Sequence, residues 1–205
     1  DTASDDPAAQ REFLSDSKAQ IDRLEWITSN LLDLSRLDAG LIDLEMADHD
    51  ARDLVESAVA PFRAPAFESR VRIELQNPVE TVLVRCDGPR IELALSNLIE
   101  NALKFTPSGG MIEVGTSGSV ENDEPTVAFW VHDSGPGVPE DEREHVFDRF
   151  ARTDQARTMP GSGLGLAIVR KVVLDHGGQV VVNDAPGGGG EVGFVLPSAP
   201  SVPRP

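Results

Sequence analysis

Asn97-Leu98-Ile99-Glu100-Asn101-Ala102-Leu103-Lys104-Phe105 is the stretch of this sequence that says most about the fold. On a helix of about 3.6 residues per turn, Asn97, Asn101 and Lys104 share one face. The opposite face carries the aliphatic residues Leu95, Leu98, Ile99, Ala102 and Leu103. The stretch therefore predicts an amphipathic helix with one side in the core. Asn oxygens can hold a hydrated cation and a Lys can reach a phosphate, so the polar side suits a magnesium-bound polyphosphate; a solvated helix face explains the same pattern.

Composition and charge limit the classes of protein to which the chain can belong. Its 205 residues, 40% of them apolar, suffice for one domain with an appended element or for two small domains. With 35 acidic and 18 basic residues, the net charge of -17 would repel a phosphate backbone, so we expect no nucleic-acid partner. The single Cys86 excludes an internal disulfide framework and, with only four His, a Cys/His metal cluster. We expect Cys86 to lie in a buried strand.

The hydropathy of the sequence indicates whether the chain could cross a membrane. No apolar run approaches the roughly 20 residues that a membrane span needs, and no signal peptide is evident. We therefore expect a soluble segment that does not span a membrane. The first residue is Asp1 and not Met, which indicates a piece of a longer protein.

The N-terminal forty residues predict a turn followed by one long helix. Residues 1–7 are acidic and turn-like, and the helix is expected from Arg11 to a stop at Gly40. Its apolar residues, with the three-four spacing of a coiled-coil seam, are Leu14, Ile21, Leu24, Ile27, Leu31, Leu34 and Leu41. A helix with one apolar stripe is not stable alone in water, so we expect it to pack against another chain.

After Gly40 the pattern alternates short strands with helices. Strands are predicted at 41–46, 71–75, 82–86, 111–116, 126–132, 179–183 and 191–196, and helices at 51–67, over the opening stretch, at 139–147 and at 163–176. The segment 118–125 is expected to be a hairpin connection, 151–162 a mobile loop, and 197–205 a disordered tail. The prediction is an α+β fold, a two-layer α/β sandwich with a mixed sheet and helices on one face, preceded by the long N-terminal helix.

The first of two glycine-rich segments is Asp133-Ser134-Gly135-Pro136-Gly137. It follows a strand whose alternation puts Val127, Phe129 and Val131 on one side. An Asp at a strand end can accept a hydrogen bond from an exocyclic amine such as that of adenine, and the glycines let a flat ring approach the backbone. Taken alone, the segment is more simply explained as an ordinary Asp-Gly turn.

The second glycine-rich segment, Gly161-Ser162-Gly163-Leu164-Gly165-Leu166, opens a helix. Glycine amides at a helix N-terminus form an anion site, so phosphates could lie there. The segment does not fit the dinucleotide fingerprint, because Leu166 takes the place of the third Gly, and the chain has no P-loop sequence. A flexible hinge before a helix is the simpler alternative.

Taken together, four ordered motifs resemble those of a known family. The opening stretch, Asp133 to Gly137, Phe147-Asp148-Arg149-Phe150 and Gly161 to Leu166 resemble the N box, first glycine box, F box and second glycine box of the bacterial sensor histidine kinase catalytic domain. That domain has the Bergerat (GHKL) ATP-binding fold shared with gyrase, chaperone and mismatch-repair ATPases. The resemblance covers residues 41–196. Residues 31–40 also resemble the end of the second helix of the dimerisation domain, so residues 1–40 are expected to be a partial dimerisation and phosphotransfer domain without the helix that carries the phosphoacceptor.

The resemblance implies ATP and Mg2+ as cofactors and assigns roles to residues. Asn101 would coordinate the metal with Asn97 beside it, Lys104 would contact phosphate, and Asp133 would bind the adenine amine. Gly135 and Gly137 would shape the base pocket, and Gly161, Gly163 and Gly165 would support the phosphates beneath a lid at 151–162. The nucleotide-binding set is completed by Phe105, Val138, Phe150, Ser162, Leu164 and Leu166. Arg152 matches an Arg near the terminal phosphate, whereas Ala151 departs from the family's usual aromatic residue. Glu100 either helps to polarise a nucleophile or is an ordinary solvent-facing Glu.

The motifs favour phosphoryl transfer to a side chain over hydrolysis. The hydrolysing relatives carry a Glu one turn before the magnesium Asn, and here that position is Asn97, whose amide cannot act as a general base. The family's phosphoacceptor motif, S-H-E-x-R-T-P, does not occur in the sequence. The four His residues are expected in a linker (His49), at a strand end (His132), in a short helix (His145) and at a helix C-terminus (His176). A cationic His176 would there meet the negative end of the helix dipole.

We therefore expect the ATP-binding catalytic domain of a two-component sensor histidine kinase, built to phosphorylate a His that this chain does not contain. The acceptor helix would belong to the same parent protein or to a partner, and the phosphate would pass to an Asp of a response regulator. The full-length protein would be a homodimer, and the domain cytoplasmic, either alone or as part of a membrane-bound sensor. The alternatives are an ATPase of the same superfamily and a non-catalytic nucleotide-sensing scaffold.

Overall fold

The computed structural model of the protein describes residues 43–76, 81–121, 124–152 and 162–198, together with Thr28, which is helical. The chain divides into two compact units, Asp1–Leu41 and Ile42–Pro205. The architecture below is that of the second unit. Apart from Thr28, the predicted turn and long helix lie outside the described residues, and so does the predicted tail beyond Ser198.

The described residues form seven strands and four α-helices. The strands are β1 (Ala47–Asp50), β2 (Arg72–Gln76), β3 (Leu83–Cys86), β4 (Met111–Glu121), β5 (Glu124–Asp133), β6 (Gln179–Asp184) and β7 (Gly190–Pro197). The helices are α1 (Ala51–Val59), α2 (Arg63–Glu68), α3 (Gly88–Phe105) and α4 (Gly165–Asp175). Short 3-10 turns occur at Ala60–Phe62 and Glu140–Glu142.

The main sheet has five strands in the order β2-β4-β5-β7-β6. Strands β2 and β4 run parallel, whereas the other neighbours are antiparallel. Strands β1 and β3 form a separate antiparallel pair. The predicted mixed sheet is confirmed.

The core lies between one face of this sheet and the helices. As predicted, Val127, Phe129 and Val131 all point to the buried face, where the rings of Phe129 and Phe194 stack with centroids 5.1 Å apart. These alternate positions of β5 bury apolar area against helices α3 and α4, which makes the two-layer α/β sandwich. Cys86 is buried as expected, and burial, reinforced by Asp87, raises the pKa of its thiol to about 12, so it stays protonated.

Two predicted elements are wrong, the strand at 41–46 in its described part and the helix at 139–147. Residues 43–46 are irregular. The first strand begins at Ala47, which is the first residue to pair with β3. The predicted helix at 139–147 is only one 3-10 turn followed by hydrogen-bonded turns, since Asp148 N–H bonds to His145 O three residues back.

Other predicted elements have different bounds. The helix predicted over 51–67 is interrupted by the 3-10 turn that contains Pro61, whose ring and missing N–H oppose a continuous α-helix. The hairpin is confirmed, but β4 and β5 extend to Glu121 and Glu124, so most of the predicted loop is strand.

Candidate functional site

Helix α3 carries the opening motif and is held firmly in place. Asp87 caps its N-terminus by accepting a hydrogen bond from Arg90 N–H at 3.3 Å, and Pro89 occupies the first turn. The helix buries one face against the sheet and α4, with Ile91, Ala94, Leu95, Leu98, Ile99 and Ala102 inside. This packing orients the polar residues of the other face.

A cavity of about 260 Å³ lies beside the exposed side of α3. Nine of the predicted site residues line it: Asn101, Lys104, Phe105, Asp133, Gly137, Val138, Arg152, Gly163 and Leu166. They come from or directly follow the N box and the two glycine boxes, and Arg152 lies two residues beyond the F box. The tertiary structure therefore brings the N box, both glycine boxes and the segment just after the F box to one cavity.

Asp133 places a partly buried carboxylate in the lining of this cavity. Its Oδ1 accepts a hydrogen bond from Gly135 N–H at 2.8 Å. Burial raises the pKa of Asp133, while N–H bonds from Gly135 and Gly190 and the charge of nearby His132 lower it. The carboxylate is thus oriented by backbone amides and retains acceptor capacity toward the cavity.

The lining of the cavity also carries amide and cationic groups. Asn101 is half-buried, and the Lys104 ammonium lies 4.9 Å from the centroid of the Phe105 ring. Glu100 is mostly exposed and does not line the cavity. Protein packed around its carboxyl still raises the pKa of Glu100, and the charge of Lys104 opposes that shift. These positions favour the solvent-facing alternative for Glu100.

Asn97 does not line the cavity but lies buried between α3 and α4. Its Nδ2 donates to Leu93 O at 2.9 Å, one turn back along the helix. A Cβ placed on Gly165 would lie only 2.8 Å from Asn97 Oδ1. Asn97 therefore supports the N-terminus of α4, and the glycine at 165 is needed for this close approach.

A backbone hydrogen bond joins the two residues that flank the segment 151–162. Phe150 N–H donates to Gly163 O at 2.9 Å, and Gly163 has a φ of +72°. A side chain at Gly163 would also lie 2.8 Å from Ala151 O, so both conformation and space require glycine there. Residues 153–161, including the predicted phosphate residue Gly161, lie outside the described part of the chain.

The remaining predicted residues surround the cavity without lining it. Gly135 approaches both Asp133 and Phe105 O, where a Cβ would lie 2.6 and 2.8 Å away. Leu164 is fully buried, and Ser162 Oγ accepts from its N–H at 3.3 Å. Phe150 is 62% exposed and adopts a positive φ of 61°. These residues and Gly165 shape the walls.

Six further residues line the cavity: Glu142, His145, Val146, Ala151, Gly190 and Val192. Among them, Gly190 is the last of four consecutive glycines and begins β7. The run of four glycines was a usable signal. A Cβ at Gly189 would lie 1.8 Å from Asp133 O, so this turn presses directly on the strand end that carries Asp133.

Comparisons with known proteins identify the family of the chain. Residues 86–200 match the family described as histidine kinase-, DNA gyrase B-, and HSP90-like ATPase. The signal transduction histidine-protein kinase/phosphatase MprB of Mycolicibacterium paratuberculosis is 38% identical over 211 residues, which cover 98% of this chain and 39% of the relative. This chain therefore spans about two fifths of that relative's length.

Two solved structures extend the similarity to the fold. Full-length ShkA in complex with AMPPNP is 32% identical with a TM-score of 0.77, covering 94% of this chain and 39% of that one. The mycobacterial sensor histidine kinase MprB is 33% identical with a TM-score of 0.63, covering 76% of this chain and 99% of that one. In the part of our chain that the structure describes, none of the helices has the length and apolar character to cross a bilayer.

Proposed function

The chain belongs to the histidine kinase-, DNA gyrase B- and HSP90-like ATPases, on the sensor histidine kinase branch, and from this premise we propose that it transfers the terminal phosphate of ATP to a His outside its 205 residues. One observation carries the proposal. A single cavity combines an enclosed carboxylate, Asp133, with Asn101, Lys104 and Arg152, groups suited to a metal-bound polyphosphate.

At the enclosed end, Asp133 would accept a hydrogen bond from the adenine amine. Gly135 N–H already holds one carboxylate oxygen in a set direction. Gly137 has a φ of +71°, and a Cβ there would lie 3.1 Å from Gly189 O, so a flat ring can reach a backbone surface that a side chain would obstruct. Val138 and Val192 supply apolar contacts for the faces of the base.

At the other end, Lys104 and Arg152 would hold the phosphates by charge, and the amide of Gly163 lies at the approach to α4. Mg2+ fits this donor set. Among the described residues no cluster of three His, Cys, Asp or Glu could enclose a metal, and Mg2+ prefers phosphate and water oxygens with one or two protein ligands. Asn101 would supply such a ligand, and the ion would neutralise charge on the transferred group.

Phosphoryl transfer is favoured over hydrolysis by the surroundings of Asn97. An amide lacks the basicity to activate water. The Asn97 amide also lacks the position, since its Nδ2 donates to Leu93 O and its Oδ1 faces Gly165. Substrate orientation and charge neutralisation would then supply the rate acceleration.

The wider partners follow from the family. The relative of known structure is called a sensor histidine kinase, and the curated relative a kinase/phosphatase of signal transduction. We propose that the parent protein acts as a homodimer, that the acceptor His lies on a helix of the same or a partner chain, and that a response regulator receives the phosphate. We propose that the domain acts in the cytoplasm, either alone or as the cytoplasmic part of a membrane-bound sensor, where it can reach a response regulator.

Calorimetric titration of Mg-ATP into the purified chain tests the proposal. We expect binding by the parent, and a loss of at least about tenfold in affinity for Asn101→Ala and for Asp133→Ala, since each removes contacts to a charged or metal-bound group. Asn183→Ala, on the strand β6 and outside the cavity lining, is the matched control. A folded parent that does not bind Mg-ATP would overturn the proposal.

A second measurement separates kinase from ATPase. The chain is incubated with ATP labelled on the terminal phosphate, and free phosphate is counted. The proposal expects almost none in the absence of an acceptor, because no group activates water. Release over many turnovers, lost in Asn101→Ala, would instead identify an ATPase.

A further inference from the structure

The face of the five-stranded sheet that points away from the helices carries a shielded ion pair between His132 and Glu191. Because Phe129 and Val131 of β5 point to the core, His132 lies on the other face of the strand, one residue before Asp133. Its Nε2 lies 2.6 Å from Glu191 Oε2 on β7, and the two side chains are only 15% and 22% exposed. A carboxylate only accepts, so His132 is the donor. Neither residue belongs to the four motifs.

The imidazole of His132 is held by its neighbours on the same face. The ring stacks on Trp130 with centroids 4.0 Å apart. Trp130 in turn covers Gly115 of β4, where a Cβ would lie only 2.4 Å from the indole ring. On the other side of the imidazole, Nδ1 lies 4.0 Å from Glu113 Oε2. These contacts fix the plane of the ring, so its Nε2 is directed at Glu191.

The register of the sheet places this ion pair beside the carboxylate of the nucleotide cavity. His132 pairs with Glu191, and the next pair, Asp133 with Gly190, is the last one between β5 and β7. The N–H of Gly190 bonds to the Asp133 carboxylate, and a Cβ on Gly190 would lie 3.1 Å from Asp133 Oδ2. The first residue of β7 therefore helps to orient the Asp133 carboxylate.

The chain that leads into Gly190 contributes no side chain that could anchor it. Gly190 ends a run of four glycines, and Gly187, Gly188 and Gly189 have φ values of +96°, +99° and +101°. Glycine loses more conformational freedom on ordering than any other residue, and strand ends open more easily than strand interiors. Glu191 is the first residue after this run that has a side chain. Its bond to His132 is thus well placed to keep the beginning of β7 on β5.

A second contact to Glu191 is weaker. The exposed Asn183 donates to its Oε1 at 2.8 Å, and water can replace such a contact. The shielded bond to His132 is the one whose loss should be felt.

We infer that His132 is a positioning residue for Asp133: by holding Glu191, it keeps Gly190 N–H on the Asp133 carboxylate and so maintains the preference of the site for a purine with an exocyclic amine. The inference rests on the proposed function, in which Asp133 accepts from the adenine amine. Gly135 N–H fixes Asp133 Oδ1 at 2.8 Å. Without the second amide, the carboxylate can rotate about that single bond and lose its direction toward the amine.

The test compares ATP with purine riboside 5′-triphosphate, in which a hydrogen replaces the adenine amine, by calorimetry in the presence of Mg2+. We expect the parent to bind ATP about tenfold more tightly, the size of one charge-assisted hydrogen bond. His132→Phe keeps a ring that can stack on Trp130 and removes the donor to Glu191. It should reduce this preference to about threefold or less, through weaker ATP binding, while the affinity for the amine-free nucleotide stays within about twofold of the parent.

Three further variants make the assignment specific. Glu191→Ala removes the same bond from the other strand and should behave as His132→Phe does. His132→Gln should keep most of the preference, because its amide still donates to Glu191. In an Asp133→Ala background, which has no preference left to lose, His132→Phe should cause no further change in the ratio of the two affinities.

Thr126→Ala is the matched control. Thr126 lies on the same face at the far end of β5, where its Oγ1 is 2.8 Å from Ser119 Oγ across the strands, so the variant also removes a cross-strand side-chain bond. It should prefer ATP as the parent does. Thermal melts check that each variant is folded, and Glu191→Ala decides the question if His132→Phe does not fold.

The outcomes separate this inference from the proposed function. A parent that does not bind ATP overturns the proposed function, and a parent that binds both nucleotides equally overturns the adenine assignment of Asp133 together with this inference. If the parent prefers ATP but His132→Phe and Glu191→Ala prefer it as strongly, only the positioning role is wrong. The same holds if the two variants weaken both nucleotides equally, since that result would indicate a general contribution to the fold.

Discussion

His176 Nε2 accepts a hydrogen bond from the backbone N–H of Asp87 at 3.0 Å, which joins the C-terminal end of α4 to the N-terminal cap of α3. His176 Nδ1 lies 2.7 Å from Val172 O and is the donor in that contact. A ring nitrogen that accepts from an N–H carries no proton, so the buried ring is neutral. The sequence-based expectation of a cation at the helix dipole is wrong, because both ring nitrogens are used in tertiary hydrogen bonds.

Replacing this ring should loosen the contact between the two helices. His176→Phe keeps a ring and removes both hydrogen bonds, leaving Asp87 N–H without its acceptor. We expect the free energy of unfolding to fall by about 1–3 kcal/mol, the cost of an unsatisfied buried group. Urea unfolding measures it, with the exposed Leu174→Ala on the same helix as control. An unchanged midpoint for His176→Phe would contradict the assignment.

Asn97 and Gly165 should be energetically coupled. Gly165→Ala places a methyl group 2.8 Å from Asn97 Oδ1, and the Asn side chain is held by Leu93 O. We expect a loss of about 1–3 kcal/mol in unfolding free energy from overpacking. Asn97→Ala removes the obstructing atom, so the double variant should lose less than the sum of the two single losses by at least about 0.5 kcal/mol. Additive losses in urea unfolding would show that the two residues do not meet.

Asp133 should make stability and nucleotide binding respond to pH in opposite directions. Burial raises the pKa of Asp133 above its ordinary value of 3.8, so the folded state holds the proton more tightly than the unfolded state. Its contribution to stability is therefore present below pH 3.8 and is lost as pH rises through the folded-state pKa. ATP binding, in contrast, should weaken as pH falls through that same pKa, because the protonated carboxyl loses acceptor capacity.

Asp133→Asn tests both parts. It removes the charge that burial disfavours, so we expect it to be at least as stable as the parent at pH 7 while binding ATP more weakly. Its affinity should also fall less than that of the parent as the pH is lowered, because it has no carboxylate to protonate. Urea unfolding and calorimetry at several pH values measure these effects. A variant less stable than the parent at pH 7 would contradict the burial argument.

Arg143 should act as a positioning residue for the base pocket. Its Nε donates to Val138 O at 3.1 Å and its Nη2 to Asp184 Oδ1 at 2.5 Å, so it ties the first glycine segment to the end of β6. Arg143→Met should lower ATP affinity about three- to tenfold, because Val138 loses a tether, while the metal dependence of binding stays unchanged. Arg170→Met, which breaks an exposed pair with Asp148, is the control. Equal effects of both variants would argue against a positioning role.

Local sequence patterns were sufficient for much of the fold. The 3.6-residue period of the opening stretch predicts α3, and the alternation of Val127, Phe129 and Val131 predicts the buried face of β5. Both signals work because the spacing of apolar side chains must match the geometry of the element that buries them. The helix predicted at 139–147 is wrong because the segment forms short turns, with Arg143 bonded to Val138 O and Asp184, and these contacts cannot be read from local spacing.

The amino-acid pattern was enough to define the chemistry of the site: which residue types are present, in which motifs, and on which elements. Their meeting in one cavity depends on the packing of α3 and α4 against the five-stranded sheet. Only that packing distinguishes Asn101, which lines the cavity, from Asn97, which lies one turn earlier and is buried under Gly165. Periodicity reports the face of an element, whereas burial and hydrogen-bond partners are properties of the assembled fold.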